Sequence, residues 1–163
     1  MLGAAAFAAP LHAQPAGASI DPPVGTRVVL EVKGAGVQIY TCTHADSGFK
    51  WTLKGPDATL SDASGNSIGT HFAGPIWKLT DGSQVQGELI ANKPAPETGA
   101  VPWLLLRAKP GSASGQLASV AFIRRTETHG GVAPTTGCES AADADKTVRA
   151  PYSANYTFYA NPR

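Results

Sequence analysis

Histidines are the side chains in this sequence best suited to acid–base or metal chemistry near neutral pH, and three of the four follow residue 13. His44 stands two residues before Asp46, His71 lies in a glycine-rich segment, and His129 precedes two glycines. No two histidines have the spacing of paired metal ligands, and no nucleophile, phosphate-loop or dinucleotide-binding motif occurs. A surface or locally hydrogen-bonded histidine is therefore the favoured expectation for each.

The segment 69–77 is the strongest candidate for a ligand-binding loop. Gly69, Gly74 and Pro75 relax and then fix the backbone on either side of a histidine, so that its ring can be aimed rather than only buried. Loops of this kind at the end of a rigid β framework commonly hold ligands. In the alternative, the aromatic residues plug the end of the fold while the histidine bonds a backbone carbonyl. The predicted ligand-binding residues are His71, Phe72, Trp77, Arg124 and His129.

Two functional hypotheses follow from these residues. The first is an exported, non-catalytic binding or surface-associated module for a small molecule or saccharide, with the ligand held by loops at 69–77 and 124–138. The second is a small exported hydrolase or metal-dependent enzyme that uses His71 with a carboxylate such as Asp46 or Asp81. Binding is favoured, and no catalytic residue, metal or cofactor is assigned. A carboxylate or a second histidine within hydrogen-bonding distance of His71 in a pocket would favour the enzyme.

Residues 1–13 are predicted to be a signal peptide. The stretch after Met1 is apolar and ends at a small residue, Ala13, and a polar, proline-rich run follows. No basic residue precedes the apolar stretch, so we expect the natural leader to begin further upstream. Cys42 and Cys138 are the only cysteines, and an even pair in an exported protein usually forms a structural disulfide. The predicted location is therefore secreted or periplasmic.

Composition narrows the fold class and the partners. Charged residues make up 15% of the chain, against about 25% in an average globular protein, while 18 glycines and 13 prolines punctuate it at short intervals. The net charge is +1 and the basic residues are scattered, so no nucleic-acid partner is predicted. No segment after the leader approaches the roughly 18 apolar residues of a membrane-spanning helix. A small molecule or saccharide is the remaining candidate partner.

Alternation of apolar and polar residues with a period of two predicts short strands along most of the chain. Residues 101–108 are apolar on both faces and are predicted to form a central strand. Glycine-containing turns are expected at Gly34-Ala35-Gly36 and at Gly55-Pro56-Asp57. Asp81-Gly82 is predicted to form the type I′ tip of a hairpin. The only helical signal is about one turn around 140–146.

This pattern of about nine or ten short strands predicts an all-β fold with one disulfide, a single-domain antiparallel β-sandwich or barrel spanning residues 27–163. Residues 14–26 are expected to be an extended lead-in segment. Trp51 and Trp103 alternate in step with apolar neighbours, so both are expected in the core, whereas the sequence does not fix the side that Trp77 faces.

Four blocks of sequence, in order, carry a resemblance to a family. They are Thr-His-Phe-Ala-Gly-Pro-Ile-Trp at 70–77, Val-Pro-Trp-Leu-Leu-Leu at 101–106, Val-Ala-Phe-Ile-Arg-Arg-Thr at 120–126 and Pro-Tyr-Ser-Ala-Asn-Tyr-Thr-Phe-Tyr at 151–159. The chain resembles an uncharacterised family of exported bacterial and fungal proteins catalogued only as a domain of unknown function. Some fungal members carry a malate dehydrogenase label, but this chain has neither a dinucleotide motif nor βαβ alternation. The resemblance implies export and a β fold, and it implies no active site.

Overall fold

The computed structural model describes residues 19–163, which form an all-β protein. The predicted signal peptide, residues 1–13, and the start of the lead-in segment, 14–18, lie outside the described residues. Within residues 19–163 the one helical segment is a 3-10 turn at Ala141–Asp143, and no helix there has the length and apolar character needed to span a membrane. The strands are β1 (Arg27–Ala45), β2 (Gly48–Ser61), β3 (Ser67–Phe72), β4 (Ile76–Leu79), β5 (Gln84–Lys93), β6 (Trp103–Ala108), β7 (Val120–Gly130) and β8 (Thr147–Ala160).

The eight strands form one closed antiparallel barrel. Each strand pairs with the next along the chain, and β8 pairs with β1 over most of the length of both to close the sheet. Closure removes the exposed edges that an open sheet would present. The interior of an eight-stranded barrel is wide enough either to be filled by side chains or to hold one small ligand. The predicted all-β fold is confirmed, and it takes the barrel form.

The strand count is below the predicted nine or ten because β1 does not turn at Gly34 and Gly36. The chain stays extended there and pairs on both sides, with β2 and with β8. A Cβ on Gly34 would lie 2.6 Å from the Tyr156 ring, and a Cβ on Gly36 would collide with the backbone carbonyl of Asp57. Glycine is needed here for close packing rather than for chain reversal, so the predicted turn is wrong.

The turn predicted from Gly55 onward is also part of a strand. Gly55 pairs with Ile39 and Leu53 pairs with Tyr40, so β2 carries one extra residue at this point. This is a β-bulge, which bends a strand and is a position where the missing N–H of Pro56 is tolerated. The glycine and proline therefore bend β2 instead of ending it.

The predicted hairpin tip at Asp81 and Gly82 is confirmed between β4 and β5. Only Gly82 has a positive φ, +86°, so the turn is not the predicted type I′, which needs two such residues. The Asp81 carboxylate instead accepts hydrogen bonds from the Ser83 hydroxyl at 2.6 Å, the Ser83 N–H at 2.8 Å and the Gln116 N–H at 2.8 Å. These bonds tie the tip to the loop before β7 and lower the pKa of Asp81.

The buried tryptophan of the barrel is Trp77, which is 1% exposed. It faces inward from β4, and the rings of Tyr156 and Phe158 on β8 meet it edge-on with centroids 5.4 Å and 6.0 Å away. Aromatic pairs in this orientation add stability beyond the area that they bury. The position that the sequence did not settle is therefore central to the core.

Trp51 and Trp103 are only half-buried, so their predicted place in the core is wrong. The Trp51 Nε1–H donates to the carbonyl of Thr136 at 3.0 Å, and the Lys93 ammonium lies 4.9 Å from the Trp103 ring centroid. Both are contacts with loop or surface groups. A period of two reveals that a strand has two different faces, but it does not reveal which face points into a closed barrel.

The predicted disulfide joins Cys42 of β1 to Cys138 in the loop before β8, with Cα atoms 5.5 Å apart and a sequence separation of 96. Two backbone hydrogen bonds hold the same loop to β1, from Cys42 N–H to Lys146 O at 2.8 Å and from Asp145 N–H to Cys42 O at 3.0 Å. The bridge therefore fixes a long connection against the wall of the barrel.

Removing this bridge should destabilise the protein strongly. The chain-entropy model gives about 4 to 5 kcal/mol for a closed loop of roughly 100 residues, because the cross-link restricts the unfolded chain. We expect the Cys42→Ser/Cys138→Ser variant to lose a free energy of unfolding of that order in a denaturant titration. The reduced wild-type protein should match the variant. A loss below about 1 kcal/mol in both would show that the bridge adds little to the backbone bonds beside it.

Candidate functional site

A cavity of about 490 Å³ opens at the end of the barrel where the β3–β4 hairpin turns, and we call it the mouth cavity. Its lining comes from β1, β2, the β3–β4 hairpin, β5, β6 and β7. Leucine and proline side chains form most of the surface, and the charged side chains in the lining are Lys54 and Arg125. No carboxylate is among the described residues that line it. The apolar walls are Leu53, Pro56, Pro75, Leu89, Leu104 and Leu106.

An aromatic layer closes the inner end of the mouth cavity. His71 on β3 and Trp77 on β4 are direct cross-strand partners, and their rings stack with centroids 4.2 Å apart and planes 8° from parallel. The Tyr156 ring meets the His71 ring edge-on at 5.1 Å. His71 lines the cavity, whereas Trp77 lies behind it in the core. The structure therefore brings two of the predicted ligand-binding residues together and leaves one of them facing the cavity.

His71 is held neutral by its surroundings. Its Nδ1–H donates to the backbone carbonyl of Ile76 at 2.9 Å. A hydrogen bond from His71 to a backbone carbonyl was the alternative expectation for the segment 69–77. The pKa of His71 is lowered to about 4, chiefly by burial; the bond to Ile76 opposes this shift, and the charge of Arg125 adds to it. At neutral pH the other ring nitrogen, Nε2, is unprotonated and can only accept a hydrogen bond.

Gln38 is a polar side chain in the lining that the sequence analysis missed. It is 2% exposed, faces the mouth cavity from β1, and its Oε1 has no hydrogen-bond partner within the described part of the chain. Such a buried and unpartnered group is rare in folded proteins, because its desolvation is not compensated. The signal was hidden because the sequence pattern placed Val37 and Ile39, not Gln38, on the inner face of a separate strand.

Arg125 is the other residue that the sequence analysis missed, by one position. Ile123 faces the barrel interior, so the residue two positions later faces the same way and Arg124 faces out. Arg124 pairs with Asp21 at 3.1 Å, whereas Arg125 lines the mouth cavity. The Arg125 guanidinium donates through Nε and Nη2 to the carbonyl of Pro102 at 3.0 Å and 2.7 Å.

The remaining predicted ligand-binding residues lie away from the mouth cavity lining. His129 pairs through Nδ1 with the carboxylate of Glu97 on an exposed surface. Phe72 alternates with His71 on β3, so its ring faces outward and is 37% exposed. Neither contributes to the lining, so the five predicted residues form no single site.

The arrangement needed for catalysis by His71 is absent among residues 19–163. Its hydrogen-bond partner is a backbone carbonyl, Asp81 is bound to Ser83 and Gln116, and Asp46 lies in the turn after β1. Within those residues, no group of three or more histidine, cysteine, aspartate or glutamate side chains could hold a metal ion. The geometry therefore offers His71 as a neutral acceptor, not as one member of an acid–base pair.

A second cleft of about 380 Å³ lies against β1 and β8 beside the β2–β3 turn. Its lining includes Glu31, Lys33, Asp62, Asn155 and Thr157, so it contains charges of both signs. The Asp62 carboxylate already accepts hydrogen bonds from the backbone N–H groups of Ser64 and Asn66. This cleft is more polar than the mouth cavity.

Comparison with known proteins gives one match. The model of a family described as "Protein of unknown function (DUF3455)" matches residues 22–160. The chain belongs to this family. The match ends at the last residue of β8 and so spans the whole barrel, which confirms the resemblance to a family of unknown function. No curated protein and no solved structure matches the chain of this DUF3455 member.

The depressed pKa of His71 predicts a pH-dependent stability. A buried neutral histidine is protonated more readily in the unfolded state, so its contribution is fully present above pH 6.5 and is lost as the pH falls from 6.5 to about 4. Over that pH interval the free energy of unfolding should fall by about 3 kcal/mol because His71 is protonated in the unfolded state. We expect His71→Gln, which keeps a donor, to show a flatter decline of unfolding free energy between these pH values than the wild-type protein.

Denaturant titrations at a series of pH values measure this difference, with the exposed His44→Gln as the control substitution. Parallel wild-type and His71→Gln profiles across the interval would contradict the burial of a neutral His71 ring.

Proposed function

We propose that this protein is an exported binding protein that holds a small, largely apolar molecule in the mouth cavity. The observation that carries the proposal is the cavity itself, about 490 Å³ with walls of leucine and proline. Ligand sites are typically concave and mostly apolar, with a few polar groups that orient the ligand. The polar side chains of the lining are those of Gln38, Lys54, His71, Asn92 and Arg125. A barrel of eight strands is a rigid frame for such a site.

An apolar ligand fits the lining better than a saccharide does. A sugar needs many hydrogen bonds, and it usually stacks on an accessible aromatic face. Trp77 is almost fully buried behind His71, and the half-buried Trp51 and Trp103 do not line the mouth cavity. Leu53 and Leu89 stand at the rim, each 52% exposed, and an occupant would shield them from water.

The alternative, an enzyme that uses His71 with a carboxylate, has less support. A general acid or base works best with a pKa near the operating pH, whereas burial takes that of His71 to about 4. The lining contains no carboxylate among the described residues. A binding function needs neither a proton relay nor a nucleophile.

The proposal that the protein is exported is supported by two features. Residues 1–13 have the apolar character and small terminal residue of a signal peptide, and the disulfide between Cys42 and Cys138 is of a kind found mainly in oxidising compartments. We expect protein recovered from the extracytoplasmic fraction to begin at Gln14, by mass spectrometry of its N-terminal peptide. Retention of residues 1–13 in a reduced cytoplasmic protein would contradict export.

Binding in the mouth cavity predicts that the protein takes up a neutral apolar dye such as Nile red. The variant Leu53→Gln/Leu89→Gln removes two apolar groups from the rim, and each contributes about 1 kcal/mol to burying an apolar ligand. The variant should therefore bind the dye roughly tenfold or more weakly in a fluorescence titration.

Val28→Gln/Val132→Gln is the matched control, because it removes two comparably exposed apolar residues, 53% and 44%, from outside the mouth cavity. Thermal unfolding should show both variants folded. Equal loss of dye binding in the two variants would mean that the dye adheres to the surface and that the mouth cavity is not the site.

A further inference from the structure

The charge in the mouth cavity is unbalanced. The described residues that line it include two cationic side chains, Lys54 and Arg125, and no anionic one. Arg124 and Arg149, by contrast, pair with Asp21 and Asp57 at 3.1 Å and 2.6 Å. No carboxylate of residues 19–163 lies within ion-pairing distance of Arg125. The half-buried cation of the cavity is therefore without a counter-ion in the described part of the chain.

The contacts of Arg125 position its guanidinium without neutralising it. The Pro102 carbonyl accepts two of its five N–H donors, which fixes the orientation of the group and leaves donors for a further acceptor. Burial lowers the pKa of His71 and raises those of Tyr152 and Tyr156; the positive charge of Arg125 adds to the first shift and opposes the other two, so it acts on the interior of the barrel and not only on solvent. A fixed, forked cation in apolar surroundings is suited to a planar oxyanion.

Gln38 is a second polar group that points to a ligand in the same cavity. Its amide is buried, lines the cavity and has an unpartnered position at Oε1. A half-turn of the amide exchanges its oxygen and nitrogen, so the unpartnered position can present an acceptor or a donor. His71 does not compete for an anion, because it is neutral above pH about 4. Lys54 also lines the cavity, but its side chain is exposed to solvent. Arg125 and Gln38 are therefore the less exposed groups available to an acidic head group.

We infer that the mouth cavity selects an amphipathic carboxylate, with the acid group bound by Arg125 and hydrogen-bonded by Gln38 and the apolar chain against Leu53, Leu89 and Leu104. This inference rests on the proposed function and names its ligand class. The leucine walls alone would favour a neutral molecule, because transferring a carboxylate out of water is costly unless it is paired. Arg125 reverses that preference by supplying the pair.

The wild-type protein tests the inference with two probes of equal chain length, decanoate and decanol, by isothermal titration calorimetry at neutral pH. We expect decanoate to bind at least tenfold more tightly, since hydrogen bonds to charged groups are the strong ones in proteins. Equal affinities, or tighter binding of decanol, would overturn the inference and leave the proposed function standing. If neither probe binds, the proposed function fails as well.

The adjacent arginines provide matched variants. Arg125→Gln should weaken decanoate binding tenfold or more and decanol binding much less, whereas Arg124→Gln should change neither. Arg125→Lys keeps the charge without the fork and should retain part of the preference for decanoate. Equal losses for both probes in Arg125→Gln, or a loss for decanoate in Arg124→Gln, would overturn the inference. If Arg125→Gln does not fold, Arg125→Lys and the wild-type probe pair decide the outcome.

Discussion

Pairing of β1 with β8 presses an aromatic side chain against a glycine, and the shape of the barrel interior depends on that contact. Gly34 leaves the space that the Tyr156 ring occupies, and Tyr156 in turn meets the edges of the stacked His71 and Trp77 rings. The rings of Tyr156, His71 and Trp77 form a layer across the barrel, and packed side chains fill the interior on one side of this layer. On the other side the β2 bulge beginning at Gly55 bends the wall, and the interior stays open as the mouth cavity. Close packing in one half of the barrel thus sets the depth of the space in the other.

The same packing sets the protonation of three side chains in the barrel interior. Burial lowers the pKa of His71 and raises those of Tyr152 and Tyr156, so each of these three side chains is neutral at physiological pH. The two tyrosine hydroxyls lie 3.1 Å apart and share a hydrogen bond in the core. Arg125 carries the charge on the interior face, and its field reaches all of them. The polar interior is therefore a set of neutral hydrogen-bonding groups beside the guanidinium of Arg125, which the Pro102 carbonyl holds in place.

The fold class, the disulfide and the hairpin tip at Asp81 and Gly82 were predictable from the sequence, because period-two alternation, cysteine count and turn dipeptides are local signals. The division into strands was not, since Gly34 and Gly36 serve close packing instead of a turn. The place of a tryptophan depends on which face of a strand points inward, and only closure of the barrel decides that. Trp51 and Trp103 were therefore predicted in the core, and the side that Trp77 faces was left open.

The candidate site was found only in part, for the same reason. His71 was predicted from its glycine-rich surroundings, and the structure places it on the lining. Arg124 was predicted in place of Arg125 because the two are indistinguishable by type, and one residue along a strand exchanges the inner and outer faces. Ile123 is fully buried and lies two positions before Arg125, so once the barrel is known it shows that Arg125 faces inward and Arg124 outward. Since Arg124 already has Asp21 as a partner on the outside, the cation that faces the leucines of the mouth cavity is the one whose charge remains for a ligand to balance.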